Sequence, residues 1–150
     1  MKKQSLLIPS FPVGAFLDSP REEMNINPIV LEGNSQNGWA LDNHIKKSIP
    51  TGYDEQGRRT CETTRSDIGE CFHRLKYHWE RSMVEPIART VEDFMRSRSE
   101  LKSVQAFIPV PSSSTARPFQ PVFLIAEVVG PMLGVTVPTD YLLKTKVPRR

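Results

Sequence analysis

Four hydroxyl side chains and one guanidinium lie within six consecutive positions, residues 112–117. Hydroxyl groups donate hydrogen bonds, and arginine presents a fork of N–H donors that matches the oxygens of a phosphate. Such a set of donors can hold an anion through charge-assisted hydrogen bonds. The sequence therefore predicts a phosphate- or pyrophosphate-binding loop formed by Ser112, Ser113, Ser114, Thr115 and Arg117. Serine clusters are also typical of solvated connections, so this alternative stays open.

The segments on either side of this loop predict a strand before it and a helix after it. Residues 104–110 are nearly all apolar, which is typical of a strand covered on both faces of a parallel sheet. Beyond the loop, apolar residues recur at helical spacing, at Val122, Ile125, Ala126, Val129, Met132 and Leu133. Ligands of open α/β sheets bind beyond the carboxyl ends of strands, and helix N-termini favour anions. This position supports the anion-binding interpretation.

The rest of the chain predicts an α/β domain with flanking helices and an N-terminal β-hairpin. Residues 135–137 form a second short strand, expected to lie parallel to 104–110 after a right-handed crossover. Strands near 29–31 and 39–45, and a turn at 52–57 before a return strand at 59–63, precede helices at 67–79 and 83–98. Asp67 with Glu70, and Ser82 with Glu85, have capping-box spacing. Residues 1–28, rich in proline, are interpreted as an N-terminal arm, and residues 29–150 as the domain.

Several short motifs resemble the first half of ComF-type phosphoribosyltransferases, a family with the type I phosphoribosyltransferase fold. The resemblance covers roughly positions 38–148, and none of its motifs is as specific as a Walker A loop. Around the predicted loop it rests on Pro109, Val110, Pro111, Arg117, Phe119, Gln120, Ile125, Ala126, Leu133, Gly134, Val135, Leu143, Lys144, Thr145 and Lys146. Upstream it rests on Gly38, Trp39, Ala40, Leu41, Asp42, Thr64, Arg65, Ser66, Asp67, Gly69, Glu70, Leu75, Lys76 and Tyr77.

The resemblance implies phosphoribosyl pyrophosphate and Mg²⁺ as cofactors, with residues 112–117 as the pyrophosphate loop. In that family a later strand carries an acidic pair and a Thr-Thr-Gly-type loop, which grip the ribose and its 5′-phosphate. Here Asp140 is the one acidic residue after Glu127, and no such loop follows. We therefore expect a truncated domain that lacks this C-terminal half, whose catalytic residues stay unassigned and which is not catalytic as an isolated chain. An open sheet edge would then be covered by the N-terminal arm or by a second chain, including a second copy.

Two other functions remain open beside an enzyme-like domain. The chain could be an accessory module that binds nucleic acid or a partner protein, in DNA uptake or related DNA metabolism, with a basic segment at Lys144, Lys146, Arg149 and Arg150. It could also be the N-terminal half of a protein completed by another polypeptide. The net charge of +3 permits phosphate or nucleic-acid partners without requiring them.

The remaining composition argues against several classes of protein. The two cysteines, Cys61 and Cys71, have no second pair, so neither a zinc site nor a disulfide framework is expected, and reduced thiols in the cytoplasm are the simple interpretation. His73 and His78 are five positions apart, off the shared face of an α-helix, so no metal site is expected. Proline residues at 9 and 12 interrupt the apolar N-terminal stretch, which argues against a signal peptide, and no run is long enough to cross a bilayer.

Overall fold

The computed structural model describes residues 23–33, 38–112 and 118–143. These residues form a mixed structure of helices and strands. The strands are β1 (Ile29–Val30), β2 (Trp39–Ala40), β3 (Ile45–Tyr53) and β4 (Arg59–Arg65). The α-helices are α1 (Asp67–His73), α2 (Val84–Ser97) and α3 (Pro121–Leu133), with a π-helical turn at Arg74–His78 and 3₁₀ turns at Arg81–Met83 and Ser99–Leu101.

The four strands form two small antiparallel sheets, so the predicted N-terminal hairpin is confirmed. β1 pairs with β2, and β3 pairs with β4 through a register that runs from Ile45 opposite Arg65 to Tyr53 opposite Arg59. The turn between β3 and β4 is closed by Asp54, whose carboxylate accepts the N–H groups of Gln56 and Arg58. Gly57 adopts a φ of 73°, a left-handed conformation that glycine takes at little cost.

The β3–β4 hairpin is exposed on both faces, and its base is anchored on α1. Most of its side chains are exposed, and the cross-strand contacts include hydroxyl pairs such as Thr51 with Thr60 at 3.0 Å. At the base, the carbonyl of His44 lies against Gly69 of α1, where a Cβ atom would clash with it. The close approach made possible by Gly69 therefore sets the position of the hairpin relative to the helices.

The core lies between the helices. The predicted helices at 67–79 and 83–98 are confirmed, although the first becomes π-helical after His73. Phe94 connects α2 to the β1–β2 sheet. Its ring packs edge-on against the Trp39 ring, with the ring centres 6.2 Å apart. Elsewhere α2 packs chiefly against α3. The buried cluster that holds the helices together consists of Leu75, Val84, Ile87, Ala88, Leu124, Val128 and Val129.

Neither predicted capping box forms. The N-cap of α1 is Ser66, whose buried hydroxyl accepts the N–H of Gly69 at 3.1 Å, so the cap begins one residue before the expected Asp67. At α2 the 3₁₀ turn leads directly into the helix, and the N-cap Met83 has no capping side chain. Glu85 instead pairs with Arg89 one turn later, at 2.8 Å. A serine and a glutamate three positions apart therefore do not form a capping box when a preceding turn already continues into the helix.

The segment 104–110 differs from the expected central strand. It makes one parallel bridge, between Ala106 and Thr136, in which Phe107 donates to the Thr136 carbonyl at 2.8 Å. Ile108 is 44% exposed and Val110 is 68% exposed, so the expectation that this segment is covered on both faces is wrong. An apolar run shows only that burial would be favourable, and within the described residues no second strand lies beside it.

The helix predicted after the loop is α3. Apolar residues line the helix as predicted, and Gly134 ends it with a φ of 68°, its N–H directed to the carbonyls of Gly130 and Pro131. The helix continues through Pro131 to Leu133. Gly130 lies directly against Val137, which allows the segment after the helix to return close to it.

Candidate functional site

The candidate site is the beginning and end of the predicted anion-binding loop. Of the five predicted residues, Ser112 lies within the described structure, and Ser113, Ser114, Thr115 and Arg117 lie outside the described residues. The chain runs from the bridge residue Ala106 to Ser112, and it is described again from residue 118 to α3. The loop therefore joins the segment that carries the parallel bridge to the N-terminus of a helix.

Ser112 lies at a shallow pocket together with the ammonium-bearing side chain of Lys76. The pocket has a volume of about 220 Å³ and is bounded on the helix side by Gln120 and Pro121. Lys76 belongs to the π-helical turn, and its Nζ lies 5.1 Å from the centre of the Tyr77 ring. The side chain of a cationic residue therefore borders the entrance to the loop.

A second cation borders the exit of the loop. The guanidinium of Arg81 lies 5.0 Å from the centre of the Phe119 ring, just before α3. Cation–π contacts of this kind hold an arginine in place while its N–H groups stay available at the ring's edge. Neither Lys76 nor Arg81 was predicted from the sequence to border the loop. Lys76 could have been identified from the sequence, because it belongs to one of the motifs that carry the family resemblance. No motif in the sequence indicated a role for Arg81.

The N-terminus of α3 offers fewer hydrogen-bond donors than an ordinary helix. Pro121 occupies the first turn and has no N–H, and the N–H groups of Phe123 and Leu124 both donate to the Gln120 carbonyl, at 3.1 and 3.2 Å. An anion bound here would consequently depend on the loop itself and on the neighbouring cations more than on the helix terminus.

The structure also shows the surroundings of Arg65, Cys71 and Trp79, which lie outside the loop. Arg65 forms a salt bridge with Glu70 at 3.4 Å. Burial raises the pKa of the Cys71 thiol, which favours the protonated, unreactive form. Trp79 lies at the surface: its side chain is 54% exposed and its φ is 61°.

Metal ligands do not assemble near the loop. Within residues 23–33, 38–112 and 118–143, no three histidine, cysteine, aspartate or glutamate side chains come close enough to share a metal ion. Glu127 is the acidic residue of α3, and burial raises its pKa. The side chains that border the two ends of the loop are instead those of Lys76 and Arg81.

Comparisons with protein-family models, with curated proteins and with solved structures found no match to this chain. Among the described helices, none combines the length and the apolar character needed to span a membrane.

Proposed function

We propose that this chain is a ComF-like phosphoribosyltransferase-type domain whose loop at residues 112–117 binds phosphate or pyrophosphate. The proposal also holds that the isolated chain does not transfer phosphoribosyl groups. The observation that carries it is the position of the loop. It follows a segment that is bridged in parallel to Thr136 across α3, and its two ends are bordered by Lys76 and Arg81.

The donor set matches the anionic part of phosphoribosyl pyrophosphate. Ser112 and the loop hydroxyls can donate hydrogen bonds to phosphate oxygens, and Arg117 adds a bidentate cation in the sequence of the loop. Lys76 and Arg81 add positive charge from the neighbouring turns. A pyrophosphate group, with several charged oxygens, would gain most from such a combination.

The ribose and Mg²⁺ parts of that cofactor have no corresponding residues here. Transfer requires the ribose, its 5′-phosphate and the metal to be held together, since positioning and preorganised charge provide much of the rate enhancement. The chain contains no acidic pair after Glu127, and the described residues form no three-ligand metal group. The proposal is therefore binding of the anion without catalysis.

Calorimetric titration with pyrophosphate tests the binding site. Arg117→Ala and Lys76→Ala should each weaken binding, because loss of a hydrogen bond to a charged group costs on the order of 1.5–3 kcal/mol, or about tenfold or more in affinity. Lys47→Ala, which removes the same charge from the exposed hairpin, is the matched control and should bind as the wild type does. If all four proteins bind pyrophosphate equally, or none binds, the loop is not an anion site.

A second candidate is an accessory module for nucleic acid or a partner protein. The observation that favours it is the β3–β4 hairpin, which is exposed on both faces and carries the exposed cations Lys46, Lys47 and Arg59. Two-stranded ribbons with cationic side chains can contact the phosphates of DNA. In that case Lys47→Ala, and not Lys76→Ala, would be the variant that weakens binding to duplex DNA.

A further inference from the structure

The backbone between α1 and α2 departs from regular α-helical geometry over one turn. Residues Arg74–His78 are π-helical, and the N–H of Trp79 donates to the carbonyl of Arg74, five residues earlier. Trp79 then takes a left-handed conformation with a φ of 61°, which is unfavourable for a bulky side chain. Single π-helical turns are rare and are often found at functional sites.

This turn brings two histidines together that an α-helix would separate. At 3.6 residues per turn, side chains five positions apart point about 140° away from each other around an α-helix. In the π-helical turn the hydrogen bond spans five residues instead of four, and this wider turn moves position 78 toward the side of position 73. The imidazole centres of His73 and His78 lie 5.4 Å apart, with 54° between the ring planes.

The separation of the rings matches that of two imidazoles on one metal ion. A metal–nitrogen bond of about 2.0–2.1 Å, added to the distance from nitrogen to ring centre, places each ring centre about 3.2 Å from the metal. At a tetrahedral angle, two such rings are about 5.2 Å apart, close to the observed value. Rotation about the last side-chain torsion, which is broad for histidine, can direct one nitrogen of each ring to the shared position.

We propose that His73 and His78 form a surface site for a divalent transition-metal ion, with water completing the coordination. The exclusion of a histidine metal site from the sequence depended on α-helical spacing, which this turn does not have. His78 is exposed and His73 is half-buried, so an ion can reach both rings from solvent. Two imidazoles favour ions such as Zn²⁺, Ni²⁺ and Cu²⁺ over Mg²⁺ or Ca²⁺, which prefer oxygen ligands.

The two guanidinium groups next to the turn are each paired with a carboxylate. Arg65 is paired with Glu70 at 3.4 Å, and Arg74 is paired with Glu80 at 2.5 Å, so both guanidinium groups next to the turn are partly neutralised. Lys76 lies over the Tyr77 ring at the pocket that borders the anion loop. The Tyr77 ring also lies 4.9 Å from the His73 ring, so the two proposed sites are neighbours that use different residues. Each site is tested by its own variants.

The test uses the full chain without an affinity tag, titrated with ZnCl₂ and with NiCl₂ by calorimetry. Loss of a group that only orients a metal ligand commonly costs 10–100-fold in affinity, so loss of a ligand itself should cost at least about tenfold. We expect one equivalent of metal on the wild type, and binding weakened by that factor in His73→Ala and in His78→Ala. His44→Ala, the variant of the third histidine, is the matched control and should bind as the wild type does.

Electron paramagnetic resonance of the Cu²⁺-loaded chain provides a second, structural measurement. The wild type and His44→Ala should show two equivalent nitrogen ligands, and each of the other two variants should show one. The proposal is overturned if the wild type binds no metal, if His73→Ala or His78→Ala retains wild-type affinity, or if His44→Ala loses as much affinity as they do.

Discussion

Replacement of Gly130 by alanine is the sharpest test of how the end of α3 meets the segment that follows it. The Gly130 carbonyl accepts the N–H of Val135 at 2.8 Å, which brings residues 135–137 back against the helix. A Cβ atom at position 130 would overlap the Val137 side chain and approach the Val135 carbonyl oxygen to 2.9 Å. The side chain can move aside, but the carbonyl is fixed by the backbone hydrogen bond next to it.

Two effects of opposite sign determine the magnitude. Alanine is favoured over glycine within a helix by about 1 kcal/mol. Overpacking of a close contact costs about 1–3 kcal/mol, and the upper part of this range is appropriate because one of the two atoms is backbone. We therefore expect Gly130→Ala to lower the free energy of unfolding by about 1–2 kcal/mol. The parallel bridge between Ala106 and Thr136 should weaken with it, because the same segment carries Thr136.

Urea denaturation measured by circular dichroism provides the free energies of unfolding. Gly33→Ala is the control: no described atom lies within 4 Å of the added methyl group, so its effect should stay within about 0.5 kcal/mol. Val137→Ala should cost less in the Gly130→Ala background than in the wild type, since it removes the side-chain overlap and leaves the one with the carbonyl. A Gly130→Ala protein as stable as the wild type would refute the close approach described here.

Two further predictions concern the first helix and the turn after it. Ser66→Ala removes the buried hydroxyl that accepts the Gly69 N–H, and it should cost about 0.5–2 kcal/mol of unfolding free energy. Ser48→Ala, which removes one exposed hydroxyl from the hairpin, should cost less. If both variants are equally stable, Ser66 does not cap the helix. The hydrogen bond from Arg74 holds the pKa of Glu80 below its usual value of 4.5. A lowered carboxyl pKa stabilises the fold above the unfolded pKa, and this contribution is lost as the pH falls below 4.5 and through the folded pKa. Acid titration of stability should therefore be shallower in Glu80→Gln than in the wild type, and identical profiles would contradict the interaction.

Much of the secondary structure could be predicted because it depends on local patterns. Apolar residues at helical spacing indicated α2 and α3. Gly134 ends α3 because few residues other than glycine take a left-handed φ at low cost. The turn at Asp54 and Gly57 was likewise evident from residue types that close a hairpin. Such features depend on interactions between residues a few positions apart, and the amino-acid sequence shows directly which residues these are.

Features that depend on distant neighbours were not determined in this way. Residues 104–110 are apolar enough for a central strand, yet burial requires a second strand alongside, and the described residues supply a single bridge at Ala106. The position of Lys76 and Arg81 at the two ends of the loop arises from the packing of the turns against α3, and spacing along the chain does not reveal it.

His73 and His78 show most directly which features the sequence determines and which depend on the tertiary structure. The sequence by itself determined that His73 and His78 are five residues apart and that their segment is helical. Only the tertiary structure decided which helical geometry connects them, because the π-helical turn and the left-handed Trp79 are held by the surroundings of Leu75 in the core and by the Arg74–Glu80 pair. A hydrogen bond that spans five residues instead of four changes which side chains face each other. Local helix propensity does not specify which of the two spacings forms.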